Sequence, residues 1–176
     1  MILWRWMDRP GHEAARLSGT MLEGAAAFAH DDAPVGLAYS IVCDASWHTR
    51  TATVRGFIGA RPVDVAITAG EIWRLNGEEQ PQVAGCIDLD LNFSPVTNLL
   101  PIRRLSLEVG EEANVRAAWL RFPSMQLEPL EQTYRRLADD RYRYTSANGA
   151  FTAELRVNAE GWVVDYPGAW TRVSDL

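Results

Sequence analysis

The sequence lacks an excess of basic residues. Its 17 arginine and lysine residues are outnumbered by 23 acidic ones, so the formal net charge is −6. Proteins that bind nucleic acids usually present a basic surface to the phosphates, and polybasic membrane anchors need clusters of lysine or arginine. The composition therefore argues against a nucleic-acid partner and against electrostatic attachment to a membrane.

Cysteine is scarce, and long apolar runs are missing. Cys43 and Cys86 stand far apart, without a Cys-x-x-Cys pair or the histidine spacing of a structural zinc site. We expect two buried free thiols, with a disulfide as the alternative, and neither a metal nor a cofactor. No run approaches the roughly 20 apolar residues that cross a bilayer, and residues 1–6 do not resemble a secretory signal. We therefore expect a cytoplasmic protein.

The 176 residues read as one domain, spanning residues 1–176. Hydrophobic residues make up 47% of the chain and charged residues 23%, which is ordinary globular usage. No linker, repeat or low-complexity tract interrupts the sequence. A chain of this length can bury a sizeable core.

Period-two alternation is the clearest regular pattern. In residues 61–68, Val63, Val65 and Ile67 lie on one face, and residues 150–157 alternate in the same way. Glycine, asparagine and aspartate at regular intervals mark turns between such segments. This pattern predicts a mainly β protein built from half-buried antiparallel strands.

Two segments, residues 37–43 and 115–122, have apolar side chains on both faces. A helix or loop could cover the second face, or that face could line an apolar cavity. Helices should be few: Ser94 can cap a short helix with Pro95 in its first turn, and we expect it to end at Pro101. Residues 127–137 fit either a helix or a strand.

Polar residues collect in two places that could carry chemistry. Asp44 and Arg50 flank an aromatic residue at a predicted turn and could form an ion pair that fixes it. Asp88 and Asp90 alternate along a predicted strand, on the same face as Cys86. These two carboxylates could bind a metal, hold an arginine or act as an acid/base pair, and an arginine is the favoured partner.

Two further clusters supply cations and aromatic rings. Arg103 and Arg104 follow two prolines in an apolar loop, and adjacent side chains of an extended chain diverge, so they should meet different partners. Residues 161–170 hold tryptophan and tyrosine around a Pro-Gly turn. Such rings suit sugar binding, although packing in the core is their commoner use.

The order of these motifs resembles the putative glycolipid-binding family, once catalogued as a domain of unknown function. The resemblance spans nearly the whole chain and is carried by Asp44-x-x-Trp47-x-x-Arg50, Gly70-x-x-Trp73, Gly85-Cys86-x-Asp88-x-Asp90, Pro95-x-Thr97-Asn98-x-Leu100-Pro101-Ile102-Arg103-Arg104-Leu105, Gln132-x-Tyr134 and Asp165-Tyr166-Pro167-Gly168. It implies a curved antiparallel sheet or partial barrel wrapped around a short helical segment, similar in outline to carriers of lipoproteins and lipids.

The resemblance implies binding of a lipid-like or glycolipid amphiphile in an apolar concavity, with a role in glycolipid metabolism. The acyl part would lie in the concavity and the head group near the arginines. An enzyme that acts on a sugar or acyl substrate, using Asp88 or Asp90 with Cys86 as nucleophile, is the alternative, and a purely structural module is a third. No histidine lies near Cys86 in sequence to act as its base, which favours binding over catalysis.

Three structural expectations follow. Cys86 should be buried and unreactive. At least one arginine should be largely buried against a carboxylate. A ligand-sized apolar cavity should have Trp47, Trp73 or Trp119 on its wall and an arginine at its mouth. The candidate ligand-binding residues are Trp47, Arg50, Trp73, Asp88, Asp90, Asn98, Arg103, Arg104 and Tyr166.

Overall fold

Fifteen β-strands and one short α-helix make up the computed structural model, which describes residues 1–173. The strands are β1 (Ile2–Trp6), β2 (Gly11–Ser18), β3 (Met21–His30), β4 (Ala33–Cys43), β5 (Thr49–Ile58), β6 (Arg61–Thr68), β7 (Arg74–Leu75), β8 (Glu78–Glu79), β9 (Asp88–Leu91), β10 (Glu112–Arg121), β11 (Gln126–Ala138), β12 (Arg141–Ser146), β13 (Phe151–Val157), β14 (Val163–Tyr166) and β15 (Trp170–Arg172). The helices are α1 (Leu99–Leu105) and three 3-10 turns at Pro81–Val83, Pro95–Asn98 and Ala147–Gly149.

All fifteen strands belong to one sheet. Strands β1 to β8 form a meander, β10 to β15 form a second one, and pairing of β1 with β15 joins them. Every pair is antiparallel except β9 with β10, which is parallel. Within residues 1–173 the sheet is not closed, because β8 and β9 lie at its two edges. The predicted mainly β, antiparallel fold class is confirmed.

Side-chain burial follows the predicted alternation. Val63, Val65 and Ile67 of β6 are buried and their neighbours exposed, and β13 repeats the pattern. The ambiguous segment 127–137 is part of strand β11, where Gln132 and Tyr134 both point inward. A period of two therefore prevails over the helical spacing there.

The two segments with apolar residues on both faces differ from each other. In β4 the second face is open to solvent, since Val42 is 37% exposed. Neither a covering helix or loop nor a cavity therefore explains the apolar residues on that face. In β10 both faces are buried, with Ala117 on one and Leu120 on the other. The cavity interpretation therefore fits only the second of these segments.

A helical segment fills the concave side of the sheet. Ser94 caps it by accepting a hydrogen bond from the Val96 N–H at 3.1 Å, as predicted. The predicted end at Pro101 is wrong, because α1 continues to Leu105 and ends where Ser106 adopts a left-handed conformation. Pro101 is the third residue of α1, where an N–H would have no partner within the helix, so proline is tolerated.

Burial of this segment confirms that the sheet wraps around it. Pro95–Asn98 and the residues from Leu99 to Ile102 are all buried. Among the described residues, no helix is both long and apolar enough to cross a membrane. Cys43 and Cys86 are both buried and unpaired, as predicted.

Candidate functional site

A cavity of about 440 Å³ lies between the helical segment and the C-terminal strands. Chain segments far apart in sequence contribute to its wall. The lining residues are Trp6, Asp8, Arg9, Asp90, Leu91, Asn92, Ser94, Asn98, Trp119, Leu130, Tyr144, Ser146, Ala147, Phe151, Tyr166, Ala169 and Trp170. The expected cavity is therefore present, with Trp119 rather than Trp47 or Trp73 on its wall and Arg9 as its arginine.

Aromatic rings form a continuous wall on one side of the cavity. Trp6 and Trp170 are paired across the β1–β15 junction with ring centroids 4.6 Å apart, and Tyr166 lies 5.3 Å from Trp170. Tyr144 and Phe151 continue the wall, each about 6 Å from Tyr166. Phe151 is 44% exposed, so it marks the rim.

The indole N–H groups of Trp6 and Trp170 add an unusual feature to this wall. Both atoms are buried, and neither has a hydrogen-bond acceptor among residues 1–173. Buried donors without acceptors are uncommon in native proteins.

Asp90 is the ionisable group of the cavity floor. Its Oδ2 accepts a hydrogen bond of 2.6 Å from the Gln132 amide, which also donates to the Tyr144 hydroxyl at 3.1 Å. Removal from bulk water raises the pKa of Asp90 to about 6, although the hydrogen bond from Gln132 opposes the shift. The carboxyl group can therefore gain or lose a proton near neutral pH.

Asn98 and Ser94 connect the cavity floor to the core. Asn98 donates to the Pro95 carbonyl at 3.2 Å and accepts the Tyr134 hydroxyl at 2.8 Å, which fixes its amide. Ser94 donates to Glu13, a fully buried carboxyl group that also accepts the Tyr39 hydroxyl at 2.6 Å.

Burial raises the pKa of Glu13 to about 7. Sequence reasoning missed this residue, although an acid at an inward-facing position of β2 was a usable signal. Its second oxygen has no hydrogen-bond partner among residues 1–173.

Arg9 is the cation of the cavity wall, and sequence reasoning also missed it. Its guanidinium lies 5.0 Å from the ring centroid of Trp6 and forms an ion pair of 2.7 Å with Asp8. Both members of the pair line the cavity, so their charges compensate each other there.

Asp88 and Arg104 form a separate, buried ion pair. Two hydrogen bonds of 3.1 and 2.5 Å join them, and their side chains are 2% and 15% exposed. Desolvation raises the pKa of Asp88 in spite of its arginine partner. The predicted buried arginine–carboxylate pair is confirmed.

The neighbouring arginine has different partners, as expected. Arg103 lies 4.6 Å from the ring centroid of Trp47 and donates to the Glu160 carbonyl at 2.8 and 3.1 Å. Arg50 and Asp44 form the predicted ion pair at 2.7 Å, on the surface.

The structure divides the candidate ligand-binding residues into two groups. Asp90, Asn98 and Tyr166 share the cavity. The other candidates do not line it: they are Trp47, Arg50, Trp73, Asp88, Arg103 and Arg104. Trp73 is buried and donates to the Cys86 carbonyl at 3.0 Å. A ligand-binding role stays a prediction for both groups. No three metal-binding side chains lie together within residues 1–173.

Comparison with known proteins gives a family and a fold. A crystal structure of a DUF1089 family protein from Pseudomonas aeruginosa is similar, with a TM-score of 0.86 and 34% identity over 92% of this chain and 91% of that one. No curated protein matches the sequence significantly. The family model described as "Putative glycolipid-binding" matches residues 1–172. The chain therefore belongs to the putative glycolipid-binding family.

Proposed function

We propose that the protein binds a glycolipid or a similar amphiphile with a sugar head group, in support of glycolipid metabolism. The observation that carries the proposal is the 440 Å³ cavity, whose lining combines an aromatic wall with the carboxyl group of Asp90. Its volume lies within the range of about 300 to 1,000 Å³ that is typical of small-molecule sites. The family description supports the same class of ligand.

The cavity suits the sugar better than the acyl chain. Aromatic faces pack against the apolar faces of sugar rings, while hydroxyl groups need polar partners such as Asp90, Asn98 and Ser146. The arginines expected to hold the head group, Arg50 and Arg103, lie outside the cavity wall. We therefore place the head group inside, which reverses the orientation expected from the sequence.

The acyl chain would leave the cavity along the rim. Phe151 on the wall and Met7, between two lining residues, are both about half exposed and apolar. Each buried methylene contributes about 0.8 kcal/mol, so even a short contact of the chain with this rim adds affinity.

The alternative enzymatic function has less support. Cys86 is buried, and desolvation raises the pKa of its thiol to about 11, so almost none is the reactive thiolate near neutral pH. Asp88 is already bound to Arg104. Among residues 1–173, Asp8 and Asp90 are the acids that line the cavity, and Asp8 is already paired with Arg9. A hydrolytic mechanism normally needs a second catalytic group beside Asp90.

Calorimetric titration with alkyl glycosides, below their micelle-forming concentrations, tests the proposal. We expect saturable one-to-one binding that weakens at least several-fold in Trp119→Ala, because Trp119 lines the cavity. Trp47→Ala is the matched control, since Trp47 lies at the Arg103 cluster. Loss of binding in Trp47→Ala alone would place the site at that cluster, and no binding by any protein would refute the proposal.

A further inference from the structure

The charges around the cavity are unbalanced. Of the described lining residues, Asp8, Asp90 and Arg9 carry charge. Arg9 donates three hydrogen bonds of 2.7 to 3.3 Å to Asp8, so this pair is neutral overall. Asp90 has an amide partner, Gln132, and among residues 1–173 no cationic one. An ionised Asp90 therefore leaves the cavity with one uncompensated negative charge.

Asp90 also has unused capacity to accept hydrogen bonds. An ionised carboxylate offers about four acceptor positions on its two oxygens. Gln132 occupies one on Oδ2, and no donor among residues 1–173 reaches Oδ1. The group lines the cavity, so a bound molecule could supply the missing donors.

The groups that face Asp90 do not remove this charge. On its own strand Asp88 is held by Arg104. The other facing titratable groups are hydroxyls of Tyr134, Tyr144 and Tyr166, whose pKa values are raised by desolvation so that they stay neutral. Neutral hydroxyls can coexist with a ligand donor at Asp90, whereas a ligand anion would meet an unscreened carboxylate.

We propose that the cavity selects an uncharged sugar head group, whose hydroxyls donate to Asp90, and discriminates against anionic head groups. This inference rests on the proposed function and specifies its ligand. Charge-assisted hydrogen bonds are shorter and stronger than neutral ones, so Asp90 would supply both affinity and selectivity.

The proposal predicts a pH dependence of binding. With a pKa near 6, Asp90 is mainly ionised at pH 8 and mainly protonated at pH 5. Hydroxyl donors favour the ionised form, so the affinity for a neutral glycoside should fall as pH decreases from 8 to 5. The ligand should in turn lower the pKa of Asp90, because linkage is reciprocal.

Two amphiphiles with the same alkyl chain test the inference: an alkyl glucoside and an alkyl glucuronide, which differ by one carboxylate on the sugar. Calorimetry at pH 7.5 should show the glucoside binding at least about 10-fold more tightly. In Asp90→Asn the affinity for the glucoside should fall about 10-fold, and the preference for the glucoside over the glucuronide should disappear. Asp64→Asn, an equal charge change on the exposed face of β6, should leave both affinities unchanged.

Three results would overturn the inference. Equal or tighter binding of the glucuronide to the wild type is one, and unchanged selectivity in a folded Asp90→Asn variant is another. The third is a constant affinity of the wild type for the glucoside between pH 8 and 5. This measurement needs no variant. Each of these leaves the proposed function standing, whereas failure of both amphiphiles to bind would refute both.

Discussion

Arg104 binds both carboxylate oxygens of Asp88 across the junction between α1 and β9, in a site where neither side chain reaches much solvent. A carboxylate left in such a site without its partner is strongly unfavourable. We expect Arg104→Ala to lower the free energy of unfolding by about 3 to 5 kcal/mol, measured by urea denaturation.

Arg55→Ala is the control for that measurement. Arg55 forms an ion pair with Asp64, and both side chains are well exposed. Surface pairs of this kind contribute about 0 to 1 kcal/mol, so this variant should unfold at nearly the wild-type urea concentration. If Arg104→Ala and Arg55→Ala lowered the free energy of unfolding by similar amounts, burial of the Arg104–Asp88 pair would not explain the effect.

Glu13 should make stability depend on pH. Its pKa is about 7 in the folded protein against 4.5 for an ordinary glutamate, so the folded state favours the protonated form. The stabilising contribution is complete below pH 4.5 and is lost as pH rises through 7. Between pH 4.5 and 8 the wild type should lose on the order of 3 kcal/mol of its free energy of unfolding through this group, and Glu13→Gln should not show that loss.

The difference between wild type and Glu13→Gln isolates this group from other titrations. Urea denaturation at several pH values gives the comparison, and Glu78→Gln on the exposed strand β8 serves as the control. If the free energy of unfolding depends on pH in the same way in the wild type and in Glu13→Gln, the buried carboxyl group has an unperturbed pKa.

Both thiols should resist modification. Burial raises the pKa of Cys43 to about 12 and that of Cys86 to about 11. In the folded protein at pH 8, a disulfide reagent should label far less than one equivalent per chain, while the unfolded protein should take up two. Rapid labelling of Cys86 in the native state would revive its candidacy as a nucleophile.

Gly24 should not tolerate a side chain. A Cβ atom there would lie 2.3 Å from the hydroxyl oxygen of Tyr39, the residue that donates to Glu13. We expect Gly24→Ala to lower the free energy of unfolding by about 1 to 3 kcal/mol, measured by thermal or urea denaturation, because Tyr39 must move. Gly70→Ala, where nothing lies within 4 Å, should be neutral or slightly stabilising.

Local pattern predicted individual strands well and their arrangement poorly. The alternation in β6 and β13 comes from contacts with a core on one side, which the sequence displays directly. The parallel pairing of β9 with β10 and the pairing of β1 with β15 depend on segments far apart in sequence. The extension of α1 beyond Pro101 was missed because a proline in the first turn of a helix resembles one that ends it.

The candidate site could be predicted only in part for the same reason. Asp90, Asn98 and Tyr166 belong to motifs that carry the family resemblance, and the fold brings them to one cavity. Trp6 and Arg9 reach the same cavity from the other end of the chain, and no local motif marks them. Spacing predicted the partner of Arg50, but it could not show which groups hold Arg103 and Arg104.

The junction between β1 and β15 has a consequence for the order of folding. Trp6 pairs with Trp170, 164 positions later, and loop closure over such distances makes β-rich proteins fold slowly, in milliseconds to seconds. Each meander can pair its own hairpins first, but the aromatic wall is complete only after the two have joined, because Trp6 comes from the first meander and the other rings from the second. A ligand should therefore bind after this last step and slow its reversal, so that unfolding would be retarded while refolding kept its rate.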